Sequence, residues 1–169
     1  MPKLVMIRGP AGSGKSTCAK ILQKKLGMNT ALIEMDYLYY HILQNDVNHK
    51  MVFDCMVRMA DIFLKNGYTV ILEGVFTVPY NKKTQKLEHD KLYVLAKKHN
   101  VDLKIFFLDV SLERAIKRDI KRHGKKRLRA AYIQKLNEKT HARRHEHDIE
   151  INTSKLSSSQ VVNKMLQFL

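Results

Sequence analysis

Short apolar runs alternate along the chain with longer segments in which apolar residues recur every three to four positions. We interpret five of the runs as β-strands, because each is short and apolar and three are rich in valine, isoleucine or phenylalanine. The predicted strands cover residues 4–8, 31–35, 69–72, 103–108 and 149–151. Strands that alternate with helices are typical of an α/β domain with a mainly parallel sheet.

The segments between the runs have the periodicity of amphipathic helices. The predicted helices cover residues 15–26, a long stretch within 37–66, and residues 85–99, 111–122 and 130–145. A last helix is predicted after Ser157, where Val161, Val162 and Met165 follow serines that can cap a helix start. The chain has no internal repeat or long linker, so we predict one domain that spans residues 1–169.

Composition supports a single globular domain. The 169 residues are 44% hydrophobic and 28% charged, which is enough apolar surface for a self-sufficient core. Cys18 and Cys55 form neither a disulfide framework nor a CxxC pair, which fits a reducing compartment. The apolar run before Gly9 is too short for a signal peptide or a membrane span. We therefore expect a cytoplasmic protein without a membrane partner.

The charge distribution is less ordinary. The formal net charge is +15, and residues 111–144 hold thirteen lysines and arginines against three acidic residues, an excess of ten positive charges. A solvated helical face and a groove for phosphates or a nucleic-acid backbone both account for this concentration. Nucleic acid is therefore a possible partner of the basic segment.

The strongest signal lies between the first predicted strand and the first predicted helix. Residues 9–16 read Gly-Pro-Ala-Gly-Ser-Gly-Lys-Ser, a complete match to the P-loop pattern G-x-x-x-x-G-K-[ST]. Glycines let the backbone curl so that successive N–H groups and the helix start surround a phosphate. The predicted nucleotide-binding residues are Gly9, Ala11, Gly12, Ser13, Gly14, Lys15, Ser16 and Thr17.

Three side chains of this motif have separate predicted tasks. Lys15 bridges the β- and γ-phosphate oxygens, the Ser16 hydroxyl ligates Mg²⁺, and Thr17 donates to the α-phosphate. The predicted cofactors are therefore ATP and Mg²⁺. A guanine-specifying N-K-x-D is not found, since its nearest approach, residues 81–84, ends in Thr84. The chain also lacks room for a motor domain, so a compact kinase is favoured.

Two acidic residues follow predicted strands, where ligand-contacting residues of α/β sheets lie. Asp36 ends the second run and is the predicted base that accepts the proton of an attacking hydroxyl. The alternative is that Asp36 only caps a helix that starts at Tyr37. Glu73 follows the third run, and we predict a water-mediated contact to Mg²⁺, since the next residue, Gly74, permits close approach of a ligand. Asp109 is the alternative to Glu73.

Arginines recur four residues apart in the basic segment, at Arg114, Arg118 and Arg122. This spacing places neighbouring pairs on one helical face, and arginine presents a fork of donors suited to phosphoryl oxygens. We predict a basic helical lid over about residues 111–129. A merely solvated basic helix remains the alternative.

The order of these motifs resembles that of the compact P-loop kinases, a group that includes polynucleotide 5′-hydroxyl kinases, chloramphenicol phosphotransferases and zeta toxins. The resemblance implies that Asp36 is the base and that Arg118 and Arg122 are catalytic lid residues, with Arg122 at the transition state. It also implies that Ser154 and Lys155 lie beside the adenine. Polynucleotide kinases of this type carry an arginine three residues after the base, whereas this chain has Tyr39.

The predicted fold class is α/β, a three-layer P-loop NTPase fold with a parallel five-stranded sheet and a basic helical lid. The predicted function is transfer of the γ-phosphate of Mg-ATP to a hydroxyl group of a small molecule or of a nucleic-acid 5′ end, with Lys15, Asp36, Arg118 and Arg122 as catalytic residues. The alternative is a nucleotide-gated P-loop ATPase or binding protein that uses its basic segment on RNA or on a protein. Aromatic and Met residues at 37–56 fit either an acceptor pocket or the core.

Overall fold

The computed structural model describes residues 1–44, 48–76, 89–121 and 128–169 of the chain. It has five strands: β1 (Lys3–Arg8), β2 (Thr30–Glu34), β3 (Thr69–Glu73), β4 (Asp102–Asp109) and β5 (Ile149–Asn152). They form one sheet in the order β2-β3-β1-β4-β5, and all neighbouring strands are parallel. The predicted α/β fold class with a parallel five-stranded sheet is confirmed.

The helices alternate with the strands along the chain, as parallel connections require. They are α1 (Lys15–Leu26), α2 (Met35–Tyr37), α3 (His49–Lys65), α4 (His89–His99), α5 (Leu112–Ile120), α6 (Ala130–His141) and α7 (Ser158–Leu166). A π-helical turn, Leu38–Ile42, continues directly from α2. No described helix is both long and apolar enough to span a membrane.

Apolar side chains on the two faces of the sheet form two separate cores. Leu4 and Met6 of β1 join the core under α3 and α4, whereas Val5 and Ile7 join the core under α1 and α7. All four side chains are fully buried, because β1 is the central strand and helices cover both of its faces. A smaller cluster of Val110, Ala115 and Ile133 packs α5 against α6.

Several boundaries differ from the predictions for physical reasons. β2 ends at Glu34, and Met35 is already the first residue of α2. α6 ends at His141 instead of residue 145, because the carbonyl oxygen of Arg143 accepts a hydrogen bond from Arg8 and the carboxylate of Asp148 accepts one from the His145 N–H. These side chains bond the backbone groups of residues 143 and 145, which therefore form a turn after the helix. The last helix is confirmed, and Ser157 caps it.

Three predictions fall wholly or partly outside the described residues. They concern the start of the helix at residues 85–99, the loop at residues 81–84, and the lid turn with Arg122. The described part of the basic segment comprises α5, α6 and the residues next to them. The boundaries of the lid and the single-domain organisation stay predictions.

Candidate active site

The functional candidates gather at the carboxyl edge of the sheet. The P-loop follows β1, Asp36 follows β2, Glu73 ends β3 and Asp109 ends β4. β2 and β3 are neighbours in which Glu34 is in register with Glu73, and Ile7 of β1 is in register with Glu73 on the other side. Side chains at the ends of adjacent parallel strands meet at one crevice, which is the usual ligand site of such sheets.

The P-loop backbone requires glycine at two crowded positions. Gly9 has φ +139°, and a Cβ atom there would lie 2.3 Å from the backbone oxygen of Leu108. Gly12 has φ +79°, and a Cβ atom there would lie 3.0 Å from the Cα atom of Ala115. The loop is therefore wedged between β4 and α5, and side chains at these positions would push it out.

α1 begins directly after the loop, at Lys15. The N-cap is Gly14 in the left-handed conformation, and the first helical bond runs from the Cys18 N–H to the Gly14 carbonyl oxygen at 2.9 Å. The preceding N–H groups of the first turn have no carbonyl partner within the helix, as at any helix start. Together with the helix dipole they favour an anion such as a phosphate.

Lys15 lies inside the crevice. Its side chain is buried, and its Nζ donates to the carbonyl oxygen of Pro10 at 2.9 Å. The Lys15 charge also counteracts the rise in the pKa of Glu73, which means that the two groups are within electrostatic reach. A buried ammonium at the start of α1 is suited to bind phosphate oxygens.

Ser16 and Glu73 form the predicted magnesium site. The Ser16 hydroxyl donates to Glu73 Oε1 at 3.1 Å. Burial raises the pKa of Glu73 to about 7, with further contributions from the charges of Asp36 and Glu34, while Lys15 and the Ser16 hydrogen bond oppose the rise. A divalent cation would relieve this cost, because it stabilises the ionised carboxylate.

The oxygen ligands at this site fit Mg²⁺, which prefers hard oxygen ligands and retains several waters in nucleotide sites. Within residues 1–44, 48–76, 89–121 and 128–169, no group of three or more His, Cys, Asp or Glu side chains could hold a metal. A magnesium ion held by Ser16 and Glu73 would take its remaining ligands from water and substrate phosphates.

Asp109, the alternative to Glu73, is bonded elsewhere. Its Oδ1 accepts from the Val110 N–H at 2.8 Å and lies 2.8 Å from Nε2 of His141, and its Oδ2 lies 3.5 Å from Arg144. These partners join the end of β4 to the end of α6. Of the two acidic residues, Glu73 is the one in contact with Ser16.

Asp36 is exposed and lies in the single helical turn α2. The N-cap of α2 is Glu34, so Asp36 is not the capping residue of a helix that starts at Tyr37. Met35, the residue before Asp36, packs against Gly74, the residue after Glu73. The negative charge of Asp36 contributes to the raised pKa of both Glu73 and Tyr40.

Gly74 does not provide the open approach that the sequence suggested. A Cβ atom at this position would lie 2.8 Å from Cβ of Met35 and 3.0 Å from a ring carbon of Phe76. The glycine therefore lets α2 pack directly onto the end of β3. This close packing holds Asp36 beside Glu73.

Arg118 contacts the P-loop from α5. One terminal nitrogen donates to the Gly12 carbonyl oxygen at 2.9 Å, and the other donates to the Thr153 carbonyl oxygen at 2.8 Å. Arg114, one turn earlier, is exposed, and Arg122 lies outside the described residues. The catalytic roles of Arg118 and Arg122 stay predictions.

A cavity of about 310 Å³ adjoins the P-loop on the side of α7. It is lined by Gly12, Ser13, Gly14, Thr17, Cys18, Arg118, Thr153, Leu156, Ser157, Ser158 and Val161. Ser154 and Lys155, the predicted adenine neighbours, belong to the same loop but do not line the cavity. Instead, Ser154 accepts a hydrogen bond from the Ser111 N–H, and Lys155 is exposed.

Thr153 is a site residue that the sequence analysis missed. Its hydroxyl lies 3.1 Å from the Ser13 carbonyl oxygen and 2.9 Å from that of Asp109. It is buried and joins the P-loop, β4 and the loop after β5. Its only sequence signal was its position after β5, next to Ser154.

The sequence analysis also missed the structural role of Arg8, which it predicted only as the last residue of the first strand. It is fully buried, donates to the Arg143 carbonyl oxygen at 2.7 Å, and lies 5.5 Å from the ring centre of Phe107. The available signal in the sequence was an arginine at the end of an apolar run, directly before the first P-loop glycine. Arginine is rarely fully buried without partners.

The aromatic residues after β2 divide between core and surface. Tyr39, Phe53 and Met56 belong to the core under α3, whereas Tyr37 and Tyr40 are 55% and 60% exposed. Tyr39 therefore cannot take the place of a substrate-facing arginine.

A complete P-loop after the central strand of a parallel five-stranded sheet defines the protein as a P-loop nucleotide-binding fold. The chain belongs to the AAA domain family, whose sequence profile matches residues 4–147. A comparison with curated protein sequences found no match.

Solved structures with the same fold include several kinases. A gluconokinase from Sinorhizobium meliloti is 17% identical with a TM-score of 0.72, covering 98% of this chain and 90% of its own. An APS kinase from Mycobacterium tuberculosis, in complex with AMPPNP and APS, is 14% identical with a TM-score of 0.67 and coverages of 98% and 96%. The thymidylate kinase of Candida albicans is 17% identical with a TM-score of 0.68 and coverages of 99% and 90%.

These similarities establish the fold of the chain. Sequence identities of 14–17% do not identify its substrate. The narrower group of polynucleotide kinases, chloramphenicol phosphotransferases and zeta toxins stays a prediction.

Proposed function

We propose that the protein is a kinase that transfers the γ-phosphate of Mg-ATP to a hydroxyl group of a small molecule. The observation that carries this proposal is the packing of Met35, the neighbour of Asp36, onto Gly74, the neighbour of Glu73. Glu73 in turn accepts a hydrogen bond from Ser16 of the P-loop. A nucleotide site with an exposed carboxylate next to it has the parts required for transfer to an acceptor.

The proposed reaction assigns one task to each group. The P-loop N–H groups and Lys15 bind the phosphates, and Asp36 accepts the proton of the acceptor hydroxyl as its oxygen attacks the γ-phosphorus. The bond from the γ-phosphorus to the bridging oxygen breaks, and ADP leaves with that oxygen. Magnesium, held by Ser16 and through water by Glu73, would neutralise charge on the phosphates.

A small-molecule acceptor is favoured by the position three residues after Asp36. Tyr39 is 7% exposed and bonded to His49, so this position offers no cation to a nucleic-acid phosphate. Several structural neighbours are named as kinases of small molecules, among them the gluconokinase and the APS kinase. These names support the proposal without identifying the acceptor.

The test is transfer of label from γ-labelled ATP to a panel of nucleosides, sugars, antibiotics and 5′-hydroxyl oligonucleotides. We expect a small molecule to be labelled, and Asp36→Asn to slow labelling by about 10² or more. Asp54→Asn is the matched control, because Asp54 is a carboxylate on α3 that pairs with Lys91. Label on the oligonucleotides would overturn the acceptor class. Hydrolysis of ATP with no labelled acceptor would favour the nucleotide-gated binding protein.

A further inference from the structure

A buried tyrosine and a histidine join the turn that carries Asp36 to the start of α3. The hydroxyl of Tyr39 is hydrogen-bonded to Nδ1 of His49, and the two rings meet edge to face with their centres 5.3 Å apart. Tyr39 belongs to the π-helical turn, and His49 is the first residue of α3. This pair therefore connects two elements that are seven or more residues apart along the chain.

The helical backbone transmits this connection to Asp36. α2 runs into the π-helical turn without a break, and the turn closes with a bond from the Leu43 N–H to the Leu38 carbonyl oxygen at 3.0 Å. Asp36 lies three residues before Tyr39, so the two residues share one continuous helical segment. π-helical turns are rare and are found frequently at functional sites.

The start of α3 is itself well fixed. Asn48 caps the helix, with its side chain accepting from the Met51 N–H at 3.0 Å. Val52, Phe53 and Met56 of α3 are buried in the same core as Tyr39. The end of α3 that carries His49 is therefore capped and packed on the core, so it can anchor the turn.

The chemistry of the pair fits a neutral imidazole. Burial and the charge of Lys139 lower the pKa of His49, which favours the form in which Nδ1 accepts a hydrogen bond. The Tyr39 hydroxyl then donates to Nδ1. Burial of the phenol makes an unmade bond costly, so the pair holds its geometry.

We infer that Tyr39 and His49 are positioning residues for the phosphotransfer reaction, and that their hydrogen bond fixes the turn that aims Asp36 at the acceptor. This inference rests on the proposed function, in which Asp36 is the base. Neither residue touches the reacting atoms. They act through the placement of the Asp36 carboxylate relative to the P-loop.

The experiment compares Tyr39→Phe, His49→Ala and the double variant with the wild type. We expect each single variant to lower kcat by about tenfold, within the range for a misplaced catalytic group, with the KM for ATP unchanged. The double variant should be no worse than either single variant, because all three lack the same bond. His49→Asn should restore most of kcat, because its amide oxygen lies near the position of Nδ1.

Tyr68→Phe is the matched control. Tyr68 precedes β3 at the opposite edge of the sheet and packs on Phe63, so loss of its hydroxyl should leave kcat unchanged. Unchanged kcat in Tyr39→Phe and His49→Ala, with only a lower melting temperature, would overturn the inference. Failure of His49→Asn to rescue kcat would also overturn it.

A second readout keeps the inference testable if the wild type transfers phosphate to no acceptor. Hydrogen exchange of the backbone amides in residues 35–43 should be faster in Tyr39→Phe than in the wild type and Tyr68→Phe. In that case the proposed function would fail while the anchoring of the turn would stand. Equal exchange in all three proteins would overturn the anchoring itself.

Discussion

Arg118 donates a hydrogen bond to the carbonyl oxygen of Gly12, 106 positions earlier in the chain, at 2.9 Å. The same guanidinium donates to the Thr153 carbonyl oxygen at 2.8 Å. One side chain of α5 therefore joins the P-loop to the loop after β5, on the two sides of the cavity. Arg118 supports the shape of the nucleotide site, in addition to any contact with phosphate.

Loss of Arg118 should therefore weaken ATP binding and not only turnover. We expect Arg118→Ala to raise the KM for ATP about tenfold and to lower the unfolding free energy by about 1.5–3 kcal/mol, the range for hydrogen bonds to a charged group. Arg118→Lys should not rescue either value, because one ammonium cannot reproduce the planar fork. Steady-state kinetics and urea unfolding measure both quantities.

Arg114→Ala is the control for this prediction, since Arg114 is an exposed arginine one turn earlier on α5. It should change neither value appreciably. A large drop in kcat for Arg118→Ala with an unchanged KM for ATP would instead indicate an interaction made only in the transition state.

Lys15 and Ser16 should carry the affinity for Mg-ATP. The buried Lys15 ammonium and the Ser16 hydroxyl beside Glu73 are the side chains of the P-loop that face the crevice. Calorimetry should show no measurable binding of Mg-ATP to the Lys15→Ala, Ser16→Ala double variant. Lys24→Ala, an exposed position on the same helix, should bind as the wild type does. Undiminished affinity in the double variant would remove ATP from the proposed function.

Asp36 should act on the acceptor and not on ATP. Asp36→Asn is nearly isosteric and removes the proton acceptor, so kcat should fall by about 10² or more, as for other positioned bases. The affinity for Mg-ATP should stay within about threefold, because Asp36 does not belong to the P-loop. Single-turnover transfer to the identified acceptor measures the first effect, and calorimetry the second. Full activity would show that the carboxylate has no role in proton transfer.

Local pattern was enough to predict most of the fold. The boundaries of α1 match the predicted residues 15–26, because a P-loop fixes the start and Gly27 follows the end. β1 was predictable because four consecutive apolar residues, 4–7, are typical of a central strand that helices cover on both faces. All four are fully buried in the structure. The sequence also predicted that the P-loop, Asp36 and Glu73 lie at one edge of the sheet. The P-loop directly follows β1, Asp36 lies two residues after β2, and Glu73 ends β3.

Long-range contacts account for what the sequence did not show. The role of Thr153 depends on Ser13, 140 positions away, and no local pattern encodes that hydrogen bond. The purpose of Gly74 depends on Met35, a contact that exists only after β2 and β3 pair. Short sequence motifs predict local backbone conformation, whereas the roles of Thr153 and Gly74 depend on tertiary contacts between distant residues.

Glu73 should make the stability of the protein depend on pH in the absence of divalent cations. Its pKa rises from 4.5 to about 7 in the folded protein, so the folded state binds a proton more tightly than the unfolded state. The resulting stabilisation is complete below pH 4.5 and is lost as the pH rises through 7. The loss is about 3.5 kcal/mol at most, because the pKa rises by about 2.5 and one pKa unit corresponds to about 1.4 kcal/mol.

Urea unfolding in EDTA at pH 5 and pH 8 tests this dependence. Glu73→Gln should have a higher unfolding free energy than the wild type at pH 8. At pH 5 most of this difference between the two proteins should disappear. Glu138→Gln, at an exposed position on α6, should follow the wild type at both values. A constant difference between Glu73→Gln and the wild type at both pH values would contradict the assigned pKa shift.

The two glycines that flank β3 offer a final comparison of stability with function. Gly67 and Gly74 lie just before and just after the strand, but the space around them differs. Gly67 has φ +80° with open space beside it, whereas a Cβ atom at Gly74 would meet Cβ of Met35 at 2.8 Å. Alanine at either position should destabilise the protein by about 1–3 kcal/mol, through backbone strain at Gly67 and overpacking at Gly74.

Only the change at Gly74 should affect phosphotransfer. Met35 begins the turn that carries Asp36, and relief of the clash requires this turn to move away from β3. We expect Gly74→Ala to lower kcat by about tenfold or more with little change in the KM for ATP, because a displaced base loses its alignment while the P-loop stays intact. Gly67→Ala should retain the wild-type kcat at a temperature where both variants are folded. Equal kcat values in the two variants would mean that the packing of α2 on β3 serves stability alone.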